Sequence, residues 1–277
     1  MNIAITEEGN NLIKGTMNCV ERTKLPLIEF KLGDIYEGER KNGMRDGYGK
    51  KIWPDGSIYE GEWVEDKSEG RGKLIHSNGD IYVGEWKNDK ANGKGTYFHI
   101  NGAKSEGEWK NDRLHGKGEL YWPDGAKYEG QYFEGQRQGK GILNFSDGSR
   151  YEGEFFEDAL HGEGTYIYSN NKVYKGQWKK NKMHGKGQFI WQDGRNYTGE
   201  YEEDKKHGKG AFKWSDGRKY IGTWKQGKQN GIGIFYPLNK ECKVGEWIDG
   251  RRFLWFEKNE VDQLIEEQKI KREDLLE

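Results

Sequence analysis

Glycine recurs at positions 38, 61, 84, 107, 130, 153, 176, 199, 222 and 245, at a constant step of 23 with no insertion or deletion. A fixed period of this length over most of a chain dictates a stack of small, similar units, none of which can bury its apolar face alone. Two residues before each glycine stands Tyr, except at Ser105 and Lys243; two residues after stands an aromatic ring, except at Arg40. A second signature follows in each unit: Gly47 and Gly49, then glycine pairs at 70/72, 93/95, 116/118, 139/141, 162/164, 185/187, 208/210 and 231/233.

Each unit reads as two strands. In Tyr59-Glu60-Gly61-Glu62-Trp63 rings and glycine alternate with carboxylates, which is the period of a strand. Residues 116, 118, 120 and 122 share one face of a second strand, and a loop such as residues 87–92 joins the two. Trp53-Pro54-Asp55-Gly56 and Trp122-Pro123-Asp124-Gly125 supply the turn into the next unit, with Pro presetting φ and Gly accepting φ > 0. A unit with three or four glycines cannot sustain a helix. The predicted fold is therefore all-β: an elongated, twisted antiparallel sheet of about ten 23-residue hairpins, followed by a short C-terminal α-helix. Strands lie about 4.8 Å apart, so ten units make a rod on the order of 100 Å long.

The period also explains an odd composition. Leu, Ile, Val and Phe number only 50 of 277 residues, near the level associated with disorder, about 20%. Yet 38 residues are aromatic and 42 are glycine, so rings packed over glycine replace an aliphatic core. Glu39, Glu62, Glu85 and Glu108 follow the single glycines, while Arg71, Lys94, Lys117 and Lys140 stand between paired ones. This arrangement predicts cross-strand ion pairs on the second face, and it reconciles 34% charged residues with a net charge of −1.

Four segments are expected: a disordered N-terminus over 1–12, a degenerate capping repeat over 13–34, the array over 35–256, and a helical tail over 257–277. The capping repeat is read from Ile13, Gly15 and Met17; it has Lys24 and Pro26 where others have the glycine pair, and Pro suits an edge strand. In the tail Asn259 is the expected cap, and Val261, Leu264 and Ile265 give an apolar edge. That edge suits a helix covering the sheet end, or one that docks a partner or a second copy.

No stretch approaches the roughly 20 apolar residues of a membrane span. The first residues lack the basic and apolar regions of a secretory signal, and Cys19 and Cys242 are too few for a disulfide framework. The expected setting is thus cytoplasmic.

The unit resembles the MORN (membrane occupation and recognition nexus) repeat, whose pattern is Tyr-x-Gly-x-Trp followed by Gly-x-Gly. Tyr82-Val83-Gly84-Glu85-Trp86 with Gly93-Lys94-Gly95 is close to it, and the likeness covers residues 36–247. The resemblance implies a long twisted sheet with a shallow aromatic groove. It also implies company: such arrays occur in ciliary and flagellar proteins, radial spoke heads among them, in junctional membrane proteins, and beside the catalytic domains of lipid kinases and methyltransferases.

No catalytic, cofactor or metal site is expected. His115, His161, His184 and His207 share one repeat position, but equivalent positions lie about 9.6 Å apart, too far to share an ion. The Gly-Lys-Gly strings lack the spacing and following helix of a phosphate loop. Any chosen carboxylate has near-copies one repeat away, which argues against a unique active centre.

Two surfaces are candidates for partners. One is the aromatic groove, with Tyr97, Tyr166, Phe189, Phe212, Trp122, Trp191 and Trp214. The other is basic: residues 171–228 carry 15 basic and 6 acidic side chains, and Lys179, Lys180, Lys182, Lys205 and Lys206 cluster near the loops. An acidic protein or an anionic lipid such as a phosphoinositide fits that surface; nucleic acid does not, because the rings are committed to the sheet and net charge is near zero. The reading with most support is a non-enzymatic scaffold in a cytoskeletal, ciliary or flagellar (axonemal) complex, with the sheet end or tail as a joint to a second copy. The alternative is a membrane-surface adaptor.

Overall fold

The computed structural model describes residues 22–29 and 33–275. Residues 1–12 and Ile13, Gly15 and Met17 of the capping repeat lie outside the described residues. Twenty-one strands, from Thr23–Glu29 to Arg251–Trp255, form one sheet. Each pairs antiparallel with its neighbours in sequence, so the chain is an uninterrupted meander. Every full unit is a seven-residue strand and a nine-residue strand, as in Ile58–Val64 and Lys67–Ile75. Laid side by side, 21 strands extend about 95 Å.

The three glycines of a unit have three separate causes. A Cβ on Gly61 would lie 2.5 Å from the Cα of Gly72 in the paired strand. A Cβ on Gly72 would lie 2.3 Å from the phenolic oxygen of Tyr59, whose ring lies across it. Gly70 instead carries φ +65°, because a bulge sits there: Gly61 pairs with Gly72 and Trp63 with Ser68, leaving Glu62 opposite three residues. All nine full hairpins break register at this place.

The bulge changes the fate of the glutamates. Register does oppose Arg71 to Glu85 and Lys94 to Glu108. However, the side chain at this position turns into its own hairpin at Glu39, Glu62 and Glu200 and accepts the exposed N–H beyond the bulge. Glu62 accepts from Arg71 at 3.0 Å and Glu200 from Lys209 at 3.2 Å, and Gln131 does the same for Lys140 at 2.8 Å. The side chain expected in an ion pair is a plug for a backbone donor.

The loop expected over residues 87–92 is shorter than predicted. Only Asn88 and Asp89 leave the ladder, both with positive φ, 50° and 62°, as a two-residue primed turn demands. The second turn residue then reaches back to the preceding unit. Asp89 accepts the N–H of Ser68 at 2.7 Å, Asp112 that of Ala91 at 2.8 Å, Asn181 that of Leu160 at 2.8 Å and Asp204 that of Met183 at 2.8 Å. These pegs fasten repeat to repeat.

The ends depart from the unit. Pro26 lies where Thr23–Glu29 slips register against Ile35–Lys41, a place where no donor is needed. The helix spans Lys258–Glu266 and is capped by Glu257, whose N–H donates to the Glu260 carboxylate at 2.7 Å; the expected cap, Asn259, sits inside the first turn. Leu264 and Ile270 are buried against Ile234 and Val244, with Val261, Ile265, Ile232, Tyr236 and Cys242 around them. The tail thus folds over the flat charged face of the last strands, where Ile232 and Ile234 replace the usual polar residues.

Candidate functional site

The two faces of the sheet have opposite characters. On one, Tyr36, Tyr59, Tyr82, Tyr128, Tyr151, Tyr174, Tyr197 and Tyr220 are 0–2% exposed although the sheet is a single layer. Their neighbouring rings enclose them. Tyr59 meets Trp63 edge-on at 5.0 Å and Trp86 of the next unit at 5.1 Å. The phenol of Tyr59 donates to the carbonyl of Glu62 at 3.1 Å, and the indole of Trp86 donates to the carbonyl of Gly72 at 3.1 Å. Each ring therefore satisfies its polar end while burying its faces.

The residues expected to line an aromatic groove stand on this ring face, along the border near the unit-to-unit turns. Phe189 contacts Trp191 at 4.4 Å, Trp191 contacts Phe212 at 5.7 Å, and Phe212 contacts Trp214 at 4.9 Å. Tyr166 joins the row through Tyr168, and Trp122 packs against the same cluster. Tyr97 belongs to a separate cluster nearer the N-terminus. The rings pack on one another, and Phe189 and Phe212 are buried.

The five lysines divide. Lys179, Lys182 and Lys205 point to the charged face and Lys180 lies in a turn with positive φ. Lys182 pairs with Glu203, and Lys205 donates to Gln226 at 2.8 Å. Lys206 faces the other way: its ammonium lies 3.9 Å from the centre of the Trp224 ring and 4.7 Å from that of Phe212. Burial there pushes its pKa down to about 8.

The open concavity is on the charged face. A trough of about 870 Å³ runs over six strands and is lined by Glu106, Lys117, Glu119, Glu129, Gln131, Lys140, Ile142, Glu152, Glu154 and Glu163 above a floor of glycine. Three further clefts, of about 890, 470 and 380 Å³, continue it towards the N-terminus on the same face. Strand pairing sets one row of side chains along the trough. Glu106 stands opposite Glu119, Glu119 opposite Glu129, Glu129 opposite Ile142, and Ile142 opposite Glu152. Nearer the N-terminus the same row alternates in charge, as Glu37, Lys50, Glu60 and Lys73. At the far end it becomes Ile221, Ile234 and Val244, and the tail helix covers the last two. Glu119 is held below the usual carboxylate range by hydrogen bonds from Tyr121 and from Lys127, the latter at 2.9 Å.

This row was missed in the sequence because it occupies positions outside the repeat signature: the residue before the single glycine and the residue after the glycine pair. Comparing those two positions down the chain is the signal that exposes it. The four histidines are spread along the hairpins; His115 lies beside Phe133 at 5.2 Å, and His207 meets Glu202 at 3.1 Å. Among the described residues no group of three or more His, Cys, Asp or Glu could hold a metal ion, and no helix is long and apolar enough to cross a membrane.

A family of known repeats, the MORN repeat, matches this chain at residues 36–58, 59–81, 82–104, 106–127, 128–150, 151–173, 174–194, 197–217 and 220–237. No curated protein sequence matches it. Among solved structures it is similar to the TCP10 domain of Danio rerio CPAP in complex with a peptide of Danio rerio STIL, at 10% identity and a TM-score of 0.46, over 86% of this chain and 98% of that one. It is also similar to the SAS-4 (dCPAP) TCP domain of Drosophila melanogaster in complex with a proline-rich motif of Ana2, at 14% identity and a TM-score of 0.29, over 78% of this chain and 97% of that one.

Proposed function

The chain belongs to the MORN-repeat family, and from that premise we propose that it is a non-catalytic interaction scaffold of a cytoskeletal assembly, ciliary or flagellar, in the cytoplasm. One observation carries the reading. The rings, which in most interfaces supply the anchors, are committed to the sheet, while the opposite face holds an open trough over residues 106–163 and, separately, carries the chain's own tail over its last strands. A one-sheet rod gains its strength from nearest-neighbour contacts and offers length and a repeating surface. The ciliary or flagellar setting is supported by the company that the family keeps.

The lipid-adaptor alternative has less support, since Lys206 turns into the rings and Lys182 and Lys205 have partners on their own face. Fractionation of source cells tests the scaffold reading. The native protein is expected in the salt-resistant cytoskeletal fraction and, by imaging, along the axoneme. A freely diffusing monomer in extract overturns it; release from a membrane pellet by salt points to the lipid reading.

A further inference from the structure

The trough has the chemistry of a specific occupant. Like charges directly opposite on a sheet are unfavourable, yet Glu106, Glu119 and Glu129 are opposed in succession, and Glu152 follows beyond Ile142. The alternation of the first repeats, Glu37, Lys50, Glu60 and Lys73, shows that the same row can be neutralised within the sheet. The cations around the trough stand at its borders. Lys104 holds Glu106 at 2.7 Å, Lys127 holds Glu119 at 2.9 Å and Glu129 at 3.3 Å, and Arg150 holds Glu152 at 2.8 Å, all from the turn side. Lys117 and Lys140 stand on the hairpin side, with Glu154 and Glu163. Among the lining residues six carboxylates face two amines. Apolar contact is present too: Ile142 lies in the trough, and Phe133 and Phe156, 50% and 48% exposed, stand one pleat beyond Gln131 and Glu154.

The molecule shows what this face accepts. At its C-terminal end the row continues as Ile234 and Val244, and an amphipathic helix and the turn after it lie on them through Leu264 and Ile270. There the row is apolar and the helix is the chain's own. Over the trough the row is acidic, and neither residues 1–21 nor residues 257–277 are basic. Residues 257–277 carry eight acidic and four basic side chains, so the tail of a second copy has the wrong charge. Residues 1–21 carry Glu7, Glu8 and Glu21 against Lys14.

We propose that the trough from Glu106 to Glu163 docks a basic amphipathic helix of a partner protein, with Lys or Arg over the glutamate row and apolar side chains on Ile142, Phe133 and Phe156. The proposal rests on the scaffold reading and gives its partner a chemistry. Six strands span about 24 Å, which a helix of about 16 residues covers.

The test uses the full chain and a fluorescein-labelled helical peptide of about that length, built of Leu and Lys, read by anisotropy at low and high salt. A peptide with Glu for Lys is the control. The basic peptide is expected to bind, more weakly as salt rises. The variant Glu106→Gln/Glu119→Gln/Glu129→Gln should bind it about tenfold more weakly or worse, three charge contacts being lost. A charge-matched variant outside the trough, Glu65→Gln/Glu134→Gln/Glu157→Gln, should bind as the parent does. Melting curves establish that both variants are folded. Absence of binding, or equal weakening by both variants, overturns the proposal. Fractionation separates it from the reading beneath it. If the parent is not cytoskeletal the scaffold fails; if parent and trough variant are equally cytoskeletal, the scaffold stands and the trough proposal falls.

Discussion

Substituting Gly187 by Ala tests the packing that holds the rod together. Gly187 pairs with Gly176, and Tyr174 lies across it. An added Cβ would lie 2.4 Å from the phenolic oxygen of Tyr174, 2.6 Å from Cζ and 2.7 Å from Cε2, roughly 1 Å inside ordinary contact. The ring has nowhere to retreat. Its phenol donates to the carbonyl of Gln177 at 2.9 Å, and it is clamped edge-on by Trp178 at 5.0 Å and Tyr201 at 5.2 Å, with no exposed surface. Overpacking costs about 1–3 kcal/mol, a displaced hydrogen bond about 1, and two disturbed ring pairs about 0.5–1.5 each; we expect a loss of about 3–7 kcal/mol. Gly194→Ala is the control: it carries φ +88° with nothing within 4 Å of the added carbon, and should cost only about 1 kcal/mol for the backbone. Urea unfolding followed by Trp fluorescence gives the difference. Amide exchange along Lys182–Ile190 checks that the damage is local, because repeat arrays need not unfold in one step. In a Tyr174→Ala background the added methyl enters vacated space, so Gly187→Ala should cost about 2 kcal/mol less there than in the parent. If Gly187→Ala melts with Gly194→Ala, or if its cost is the same with and without the ring, glycine is not there to seat the tyrosine.

Alkali should unfold the rod by a phenol-linked route. Burial raises Tyr128 to about 12 and raises Tyr59, Tyr82, Tyr151, Tyr174, Tyr197 and Tyr220 further, from an ordinary 10.0. Folded values above unfolded ones mean that stability is complete below pH 10 and falls as pH rises through 12; exposed phenols such as Tyr48 should ionise in the folded chain, whereas the ultraviolet signal of the buried set should appear only with loss of structure, and complete ionisation of a folded chain refutes this. Lys206 works in the opposite sense. Its value of about 8, against 10.5 unfolded, makes its penalty full below pH 8 and gone above 10.5, so stability rises across that window. Lys206→Met should therefore stabilise by about 1 kcal/mol at neutral pH after discounting for partial exposure, with the gain shrinking towards pH 10.5; a destabilised variant would mean that attraction to Trp224 outweighs burial. Glu62→Gln should be nearly silent in melting, since Gln131 and Gln177 fill the same bulge elsewhere, whereas Glu62→Ala should cost about 1 kcal/mol; equal effects would deny the plug.

What was legible in the sequence was whatever the period repeats. Tyr, Gly and Trp recur because each is fixed by its copies in the neighbouring units, so the strands, the glycine spacing and the ring face could be inferred from the step of 23. The bulge could not, because it is a register break, and register depends on geometry that no single residue announces. Its traces, Gly70 and its equivalents with positive φ, read in the sequence as half of a flat glycine pair. The turn pegs Asp66, Asp89, Asp112, Asp158, Asn181 and Asp204 recur at the same step as the glycines or a multiple of it, but nothing in that recurrence says which N–H they accept. The trough was hidden for the converse reason. Positions 37, 60, 83, 106, 129, 152, 175, 198, 221 and 244 hold Glu, Glu, Val, Glu, Glu, Glu, Lys, Thr, Ile and Val, and a search for likeness discards them. Yet all ten face the same way on a scaffold whose other face is constrained at every unit. In a repeat protein, constancy down the period reports what the fold requires, and the freed positions are where one stretch of rod can differ from the next. The acidic row at the centre and the apolar row under the tail are two such stretches, which is why a partner's chemistry has to be sought in what the repeat leaves free.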